Sequence, residues 1–156
     1  MIALIIVVLL ILSDQLTKLA ALEFLAPIKQ RVLIEGFFNL TYVENRGAAF
    51  GAMQGARWFF VVLAALVVAG LAFYYYRMEK TKKTLPLRIA IVLIVGGTVG
   101  NVIDRVFRGY VVDFLDFIVF GYDFPVFNAA DVFIVVGTVF LAAYILLVDL
   151  KREDKK

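Results

Sequence analysis

Four long apolar segments constrain this chain more than any other feature of its sequence. A helix needs about 20 mostly apolar residues to cross a hydrocarbon core about 30 Å thick. The segments that reach this length are 2–25, 57–77, 85–105 and 130–149. Apolar residues make up 63% of the 156 residues, more than a soluble domain of this size can bury. We therefore predict an all-α membrane protein with four transmembrane helices in a single domain, residues 1–156.

Polar residues interrupt the first of these segments. Asp14, Gln15, Thr17 and Lys18 fall inside it, and the apolar pattern then resumes as far as Leu25. No basic residue precedes the apolar stretch, which disfavours a secretory signal peptide, because such peptides begin with a positively charged region. We expect one long helix that carries polar side chains into the membrane.

The distribution of basic residues predicts the orientation of the helices. Nine of the sixteen lie in two short stretches, namely Arg77, Lys80, Lys82, Lys83 and Arg88 between the second and third segments, and Lys151, Arg152, Lys155 and Lys156 after the fourth. The positive-inside rule places such stretches in the cytoplasm. We therefore expect both termini to be cytoplasmic and the connections 23–57 and 104–131 to face outward.

The first outer connection has the residue pattern of β-strands. Residues 28–43 are rich in β-branched and aromatic side chains and are interrupted by Gly36. This pattern is typical of short strands outside the membrane. We predict a small β-rich extracytoplasmic loop over about 28–56.

The second outer connection is harder to assign. Residues 110–127 are apolar but contain three aspartates, and Gly121 and Pro125 punctuate them. The stretch is too polar to cross the membrane. We predict an interfacial or re-entrant segment over 106–129.

The chain contains neither cysteine nor histidine. This composition excludes disulfides, zinc sites built from Cys or His, a cysteine nucleophile and a histidine general base. The net charge of +3 gives no indication of a nucleic-acid partner. An enzyme made from this chain has few chemical options besides carboxylates.

Polar residues from separate segments are predicted to meet at the outer level of the membrane. They are Asp14 and Lys18 late in the first helix, Asn45 in the outer loop, Asn101, Asp104 and Arg105 at the end of the third helix, Asp113 after it, and Asp131 at the start of the fourth. Ionisable groups at membrane depth are costly, so they are functional candidates by default.

Two pairs of these residues, and one glycine motif, have both a structural and a functional interpretation. Asp14 and Lys18 are four residues apart on one helix face, which favours an ion pair over a direct catalytic role for Lys18. Asp104 and Arg105 form either a charge pair at a helix end or part of a site. Residues 96–100 contain a Gly-x-x-x-Gly motif that permits close helix packing, and no Lys-Ser/Thr follows it as in a phosphate loop.

Asp113 and Asp131 are the candidate pair for catalysis. Two carboxylates close together in a low dielectric share a proton, because both cannot ionise. One can then activate water while its partner donates a proton to a peptide carbonyl and later to the leaving nitrogen. Two other interpretations stay open at this point: solvated loop acids, and a metal or proton-coupled transport site.

Five blocks of the sequence carry a family resemblance. They are 14–18 (DQLTK), 45–50 (NRGAAF), 96–105 (GGTVGNVIDR), 111–114 (VVDF) and 127–131 (FNAAD). In this order and spacing they resemble the lipoprotein signal peptidases, the type II signal peptidases of bacteria. One block alone would be a weak indication, whereas five over residues 14–131 are highly specific.

The resemblance implies a four-helix aspartic peptidase of the bacterial inner membrane, with a small β-cradle and its active site near the outer leaflet. Its substrate would be a prolipoprotein with diacylglyceryl on the lipobox cysteine, cleaved on the amino side of that cysteine. Membrane lipids would surround a monomeric enzyme, and cyclic peptide antibiotics such as globomycin would inhibit it. No metal, cofactor or nucleic acid would be needed.

The resemblance also assigns a role to individual residues. Asp113 and Asp131 would be the catalytic dyad. Substrate binding or positioning of the dyad would fall to Asn45, Gly47, Asn101, Arg105 and Asn128, and structural support of the site to Asp14, Lys18 and Asp104.

Two rival functions remain as alternatives. A small proton- or cation-coupled transporter would use Asp14, Lys18 and the outer carboxylates, yet the only acid in the inner half of a predicted span is Asp149, the last residue of the fourth. A membrane-anchored assembly subunit would need none of these carboxylates. The outer phenylalanines also have two interpretations: Phe37, Phe38, Phe50, Phe114 and Phe117 either line a lateral opening for substrate or are ordinary interfacial aromatics.

Overall fold

The computed structural model describes residues 1–47 and 55–153, with side chains described as far as Leu147. Its helices are α1 (Ile2–Ala20), continued by a π-helical turn (Ala21–Leu25), α2 (Arg57–Arg77), α3 (Leu85–Phe107) and α4 (Ala129–Glu153). All four are long and apolar enough to cross a membrane. The four predicted transmembrane segments are thereby confirmed as helices of that kind.

Helix α3 is the centre of the bundle. Helices α1, α2 and α4 all pack against it, and its contact with α4 is the most extensive. Buried residues run along most of α3, whereas no residue of α2 is buried. A helix that presents apolar side chains outward on all sides is suited to lipid rather than water.

Glycines let α3 approach its neighbours closely. A Cβ at Gly96 would lie 2.9 Å from the Leu10 side chain of α1, and a Cβ at Gly97 would collide with the Ala130 carbonyl of α4. On α4, a Cβ at Gly137 would lie 2.9 Å from the Ala90 carbonyl. The packing role expected for residues 96–100 is confirmed, since small residues allow backbones to meet in membrane bundles.

A four-stranded antiparallel sheet lies beyond the helices. Its strands are β1 (Gln30–Ile34), β2 (Phe38–Asn45), β3 (Val111–Val119) and β4 (Tyr122–Asp123), in the order β1-β2-β3-β4. The turn between β1 and β2 holds Gly36 at φ +70°, a conformation that glycine adopts without strain. The strands predicted in residues 28–43 are confirmed.

The central part of the segment 106–129, for which an interfacial or re-entrant position is predicted, is β3, an inner strand of the sheet. Val112 and Phe114 pack against Ala21 and Leu25 at the end of α1. Residues 111–114 are all buried, so both faces of the strand are covered there. Such a strand lacks the alternation of apolar and polar residues from which strands are predicted.

The end of α3 fixes the start of β3. The backbone N–H of Val112 donates to Asp104 at 3.0 Å, and Gly109 at φ +87° turns the chain out of the helix. Asp113 directly follows the anchored Val112, so it is held at the junction of the helix bundle and the sheet.

Candidate functional site

Asp113 and Asp131 line the same cavity, which has a volume of about 510 Å³. Asp113 lies on β3 and is 2% exposed, and Asp131 lies in the first turn of α4. The volume falls within the range of small-molecule and peptide-sized sites, roughly 300–1,000 Å³. The structure thus brings together the two carboxylates that the sequence singled out.

Asn128 connects the two aspartates. As N-cap of α4 it accepts the Asp131 N–H at 3.1 Å, and its own backbone N–H donates to Asp131 Oδ2 at 3.1 Å. This reciprocal pair is a capping box in which an aspartate takes the place of the usual glutamate. The Asn128 side chain also donates to Asp113 Oδ1 at 2.6 Å. One buried residue therefore fixes both carboxylates.

Every oxygen of the two carboxylates accepts a hydrogen bond from a neutral donor. Besides the two bonds from Asn128, the Asn45 amide donates to Asp113 Oδ2 at 2.9 Å and the Asn101 amide donates to Asp131 Oδ1 at 2.8 Å. Each carboxylate oxygen has a second lone pair, which remains available for a proton or a water molecule. The three asparagines proposed to position the dyad all contact it.

The orientation of each amide is set from its far side. Lys18 Nζ donates to Asn101 Oδ1 at 2.8 Å, and the Gly47 N–H donates to Asn45 Oδ1 at 3.1 Å. The Asp131 N–H holds Asn128 Oδ1 in the same way. Because an obligate donor faces each amide oxygen, the amide nitrogens must point at the aspartates.

Lys18 is 0% exposed and has three acceptors, Asp14 at 2.9 Å, Asp104 at 3.1 Å and the Asn101 amide. The ion pair expected between Asp14 and Lys18 is present. An ammonium group has three protons, so no donor capacity is left over for substrate. This geometry favours the supporting role of Lys18 over a catalytic one.

Asp14 and Asp104 each connect Lys18 to the backbone. Asp14 Oδ1 accepts the Ala130 N–H at the start of α4 at 3.0 Å, and Asp104 Oδ2 accepts the Val112 N–H of β3 at 3.0 Å. The buried charges thereby hold the two segments that carry the dyad.

Arg105 serves a different part of the site from Asp104. It donates to the Gly47 carbonyl at 3.1 Å, and its guanidinium lies over the Phe60 ring at 5.2 Å. Asp104 instead pairs with Lys18 and Arg108. Of the two interpretations of the Asp104–Arg105 dipeptide, the geometry therefore favours separate roles at a site. Arg105 and Gly47 line the cavity together.

Burial first, and then the negative charge of Asp131, raise the pKa of the Asp113 carboxyl to about 7. The amides of Asn45 and Asn128 and the charge of Lys18 oppose this shift. Two acids in one poorly solvated cavity behave as a coupled pair that shares protons. The pair can therefore hold one proton near neutral pH.

Much of the remaining lining of the cavity is apolar. It consists of Phe124, Pro125, Val126 and Phe127 after β4 and of Val132, Val135 and Val136 on α4. A cavity that combines two carboxylates with apolar side chains suits a substrate with a polar reacting bond and a lipid-soluble remainder.

The phenylalanines predicted from the sequence are not those that line the cavity. Phe114 is buried in the core beneath the sheet, and Phe37 and Phe38 both pack on Phe117. Phe50 lies outside the described residues. Phe124 and Phe127 line the site instead; they directly precede the 128–131 turn, which was the available sequence signal.

Two further polar residues near the site escaped the sequence analysis. Gln15 donates to Asp104 at 3.2 Å and to the Gly100 carbonyl at 3.2 Å, and Arg108 donates to Gln15 at 3.1 Å. The spacing of Asp104 and Arg108, one helical turn, was a signal that could have identified this ion pair. Among residues 1–47 and 55–153, no three acidic, His or Cys side chains form a group suited to a metal ion.

The chain is similar to known proteins both as a member of a sequence family and in direct comparison with single relatives. The model of a family described as signal peptidase (SPase) II matches residues 6–147. A lipoprotein signal peptidase of Clostridioides difficile is 45% identical over 98% of this chain and 100% of its own length. Another, of Symbiobacterium thermophilum, is 44% identical over 97% of this chain and 98% of its own length.

The fold is also similar to solved structures. A bacterial membrane enzyme determined at 2.3 Å resolution aligns with a TM-score of 0.84 at 33% identity, covering 99% of this chain and 90% of that one. A second bacterial membrane enzyme structure, at 1.9 Å, gives a TM-score of 0.81 at 33% identity over 92% of each chain. The likeness extends over both the helices and the sheet.

Proposed function

The chain belongs to the signal peptidase II family, and from this premise we propose that it is an aspartic endopeptidase whose dyad is Asp113 and Asp131. Family membership makes it a multi-pass bacterial membrane peptidase that removes signal peptides from prolipoproteins. Cleavage occurs, in this proposal, on the amino side of a cysteine that already carries diacylglyceryl. The transporter alternative is not favoured by this membership.

The observation that carries the proposal is the shared setting of the two carboxylates. They line one cavity, four neutral donors hold their oxygens in place, and the pKa of Asp113 is raised to about 7. A pair that holds one proton has both an acid and a base ready near neutral pH. The described residues of the cavity offer no other acid–base pair.

The proposed reaction uses the pair as a unit. The ionised carboxylate takes a proton from water as the water oxygen attacks the scissile carbonyl carbon, and its protonated partner gives a proton to the carbonyl oxygen. The gem-diol then collapses, the carbon–nitrogen bond breaks, and the first carboxyl returns its proton to the leaving nitrogen. The second carboxylate recovers its proton from the gem-diol hydroxyl, so the pair ends with one proton.

Arg105 and the asparagines prepare this geometry. The Arg105 guanidinium is fixed by the Gly47 carbonyl and the Phe60 ring, and it has further N–H donors for a substrate carbonyl. Asn45, Asn101 and Asn128 hold the carboxylates at fixed positions before substrate arrives, and such preorganisation lowers the cost of reaching the transition state.

The proposed setting is the bacterial inner membrane, with the site near the outer leaflet and the enzyme acting as a monomer. Val132, Val135 and Val136 of α4 line the cavity, and in this proposal the acyl chains of a lipidated cysteine remain in lipid while the peptide reaches the dyad. Globomycin, a cyclic peptide, is expected to compete for this cavity.

The test is a cleavage assay with the purified full-length chain in nanodiscs. A synthetic lipobox peptide with diacylglyceryl-cysteine is incubated with the enzyme, and products are identified by mass spectrometry. We expect a product that begins with the modified cysteine, and its loss when globomycin is added. The matched control is the same peptide with an unmodified cysteine. Cleavage at another bond, or equal cleavage of both peptides, would contradict the proposal.

A further inference from the structure

We infer that the backbone carbonyl of Val126, on the open edge of the sheet beside the cavity, accepts an N–H of the substrate next to its scissile bond and holds that segment extended along the edge. This inference rests on the proposed function and deepens it, because it names the group that holds the reacting segment extended. The edge in question is the stretch 124–127 between β4 and α4.

The stretch 124–127 continues the sheet along one side only. The N–H of Phe124 donates to the Phe117 carbonyl at 2.9 Å, and Phe127 exchanges hydrogen bonds with Leu115 at 2.8 and 3.0 Å. These bonds pair the stretch with β3. On its other side the sheet ends, since the strand order closes with β4.

Val126 directs its backbone carbonyl to that open side. The N–H of Phe127 donates to Leu115 of β3, and the C=O and N–H of one trans peptide group point in opposite directions. The carbonyl of Val126, which shares its peptide group with the Phe127 N–H, therefore points away from β3. Within residues 1–47 and 55–153 this carbonyl has no hydrogen-bond partner.

The open edge faces the reacting groups. Val126 lines the same cavity as Asp113 and Asp131. A strand added to an edge lies about 4.8 Å from it, so a peptide paired with Val126 would lie inside this cavity. Phe124 and Val132 also line the cavity, so the Val126 carbonyl is a polar group among apolar side chains.

The chemistry of the substrate requires such an edge. A signal peptide crosses the membrane as a helix whose backbone groups are all paired. A peptidase must unwind the helix around the scissile bond, which frees N–H and C=O groups at a depth where water is scarce. Unpaired groups there cost several kcal/mol each. Pairing with the Val126 carbonyl satisfies one donor of the substrate and aligns the chain with the dyad, as edge pairing does in strand addition elsewhere.

The test is an ester scan of the diacylglyceryl lipobox peptide. Each backbone amide near the scissile bond, except the scissile one, is replaced in turn by an ester, which removes one N–H donor. With the wild-type enzyme in nanodiscs we expect a single position at which kcat/KM falls about tenfold, the loss of one hydrogen bond. A flat scan, with every ester cleaved like the parent peptide, would overturn the inference and leave the proposed function intact.

The penalty should fall on one N–H, because the inferred acceptor is a single carbonyl. Equal penalties at every position would therefore also overturn the inference. Failure of the parent peptide to be cleaved at all would instead contradict the proposed function.

Discussion

Lys18 and Asp131 are joined through a single amide. The Lys18 ammonium donates to Asn101 Oδ1 at 2.8 Å, and Asn101 Nδ2 donates to Asp131 Oδ1 at 2.8 Å. The cation therefore decides which end of Asn101 faces the carboxylate. A residue with no contact to the cavity thus acts on a dyad residue by fixing the orientation of its neighbour.

Replacing Lys18 tests how much this buried network stabilises the fold. In Lys18→Met, Asp14 and Asp104 lose their common cation while both remain 0% exposed. Breaking one partner out of a buried ion pair costs about 3–5 kcal/mol, because it leaves uncompensated charge. We expect the free energy of unfolding, measured by denaturant titration in micelles, to fall by that amount.

A surface ion pair provides the matched control. Arg46 and Glu44 are 2.8 Å apart with side chains 60% and 39% exposed. Exposed pairs contribute about 0–1 kcal/mol, so Arg46→Gln should unfold nearly like the wild type. Equal losses in Lys18→Met and Arg46→Gln would contradict the account of the buried network.

Gly100 is predicted to be intolerant of a methyl group. A Cβ there would lie 2.5 Å from Asp14 Oδ2 and 3.4 Å from the Ala130 Cβ. Gly100→Ala must displace the carboxylate that holds Lys18 and the Ala130 N–H, at a cost of about 1–3 kcal/mol. We expect a lower melting temperature and a loss of cleavage activity in parallel.

Gly70 is the matched control for this substitution. It lies within α2, and a Cβ there meets nothing within 4 Å. Because alanine is the better helix former by about 1 kcal/mol, Gly70→Ala should be neutral or slightly stabilising. Destabilisation of both variants to the same degree would mean that the close approach of Gly100 to Asp14 carries no special cost.

The pH dependence of cleavage follows from the raised pKa of Asp113. Burial and the charge of Asp131 bring that pKa to about 7, so the proton leaves the pair as the pH rises through this value. Hydrolysis needs one protonated carboxyl. We expect kcat/KM to decrease as pH rises through about 7. A rate that stays constant from pH 6 to about 9 would contradict a shared proton.

The stability of the fold should also depend on the protonation of Asp113, in a direction that its raised pKa determines. A carboxyl whose folded pKa is raised from 3.8 to about 7 contributes stability at low pH that is lost as pH rises through about 7. Asp113→Asn removes this titration. We therefore expect the melting temperature of the wild type to fall between pH 5 and about 8 by more than that of Asp113→Asn. This comparison separates proton loss at the dyad from general unfolding at high pH.

The orientation of the helices can be measured by labelling introduced cysteines, because the chain has none of its own. Single-cysteine variants Lys82→Cys and Glu44→Cys place one thiol in each of two connections that we expect to lie on opposite sides of the membrane. In spheroplasts, a maleimide that cannot cross the membrane should label position 44 and not position 82. The reverse pattern would place the dyad on the cytoplasmic side and contradict the proposed setting.

Much of the fold was predictable because lipid imposes simple rules. Helices in a hydrocarbon core must be long and apolar, and so the four segments were visible from length alone. The strand β3 was not, because burial on both faces removed the alternation that identifies a strand. Its two aspartates also face different surroundings: Asp113 faces the cavity, whereas Asp116 accepts hydrogen bonds from Thr41 and Asn39 within the sheet.

The candidate site was predictable in its residue types but not in its connections. The absence of Cys and His left the carboxylates, and the sequence blocks indicated Asp113 and Asp131. The linkage through Asn128, which caps a helix and contacts both aspartates, depends on how α4 approaches β3. Such a contact between distant parts of the chain has no signature in local periodicity. The apolar lining of the cavity by Phe124 and Val126 was missed for the same reason.

The central claim is that two carboxylates perform the hydrolysis, and the most direct measurement is the cleavage rate of the lipidated peptide by Asp113→Asn and Asp131→Asn in nanodiscs. Asparagine keeps the size of each side chain but can neither take a proton from water nor give one to the leaving group. If both carboxylates are catalytic, kcat falls by about 10³-fold or more in each variant, while both variants elute as folded protein and still bind globomycin. Wild-type turnover by either variant would contradict this claim.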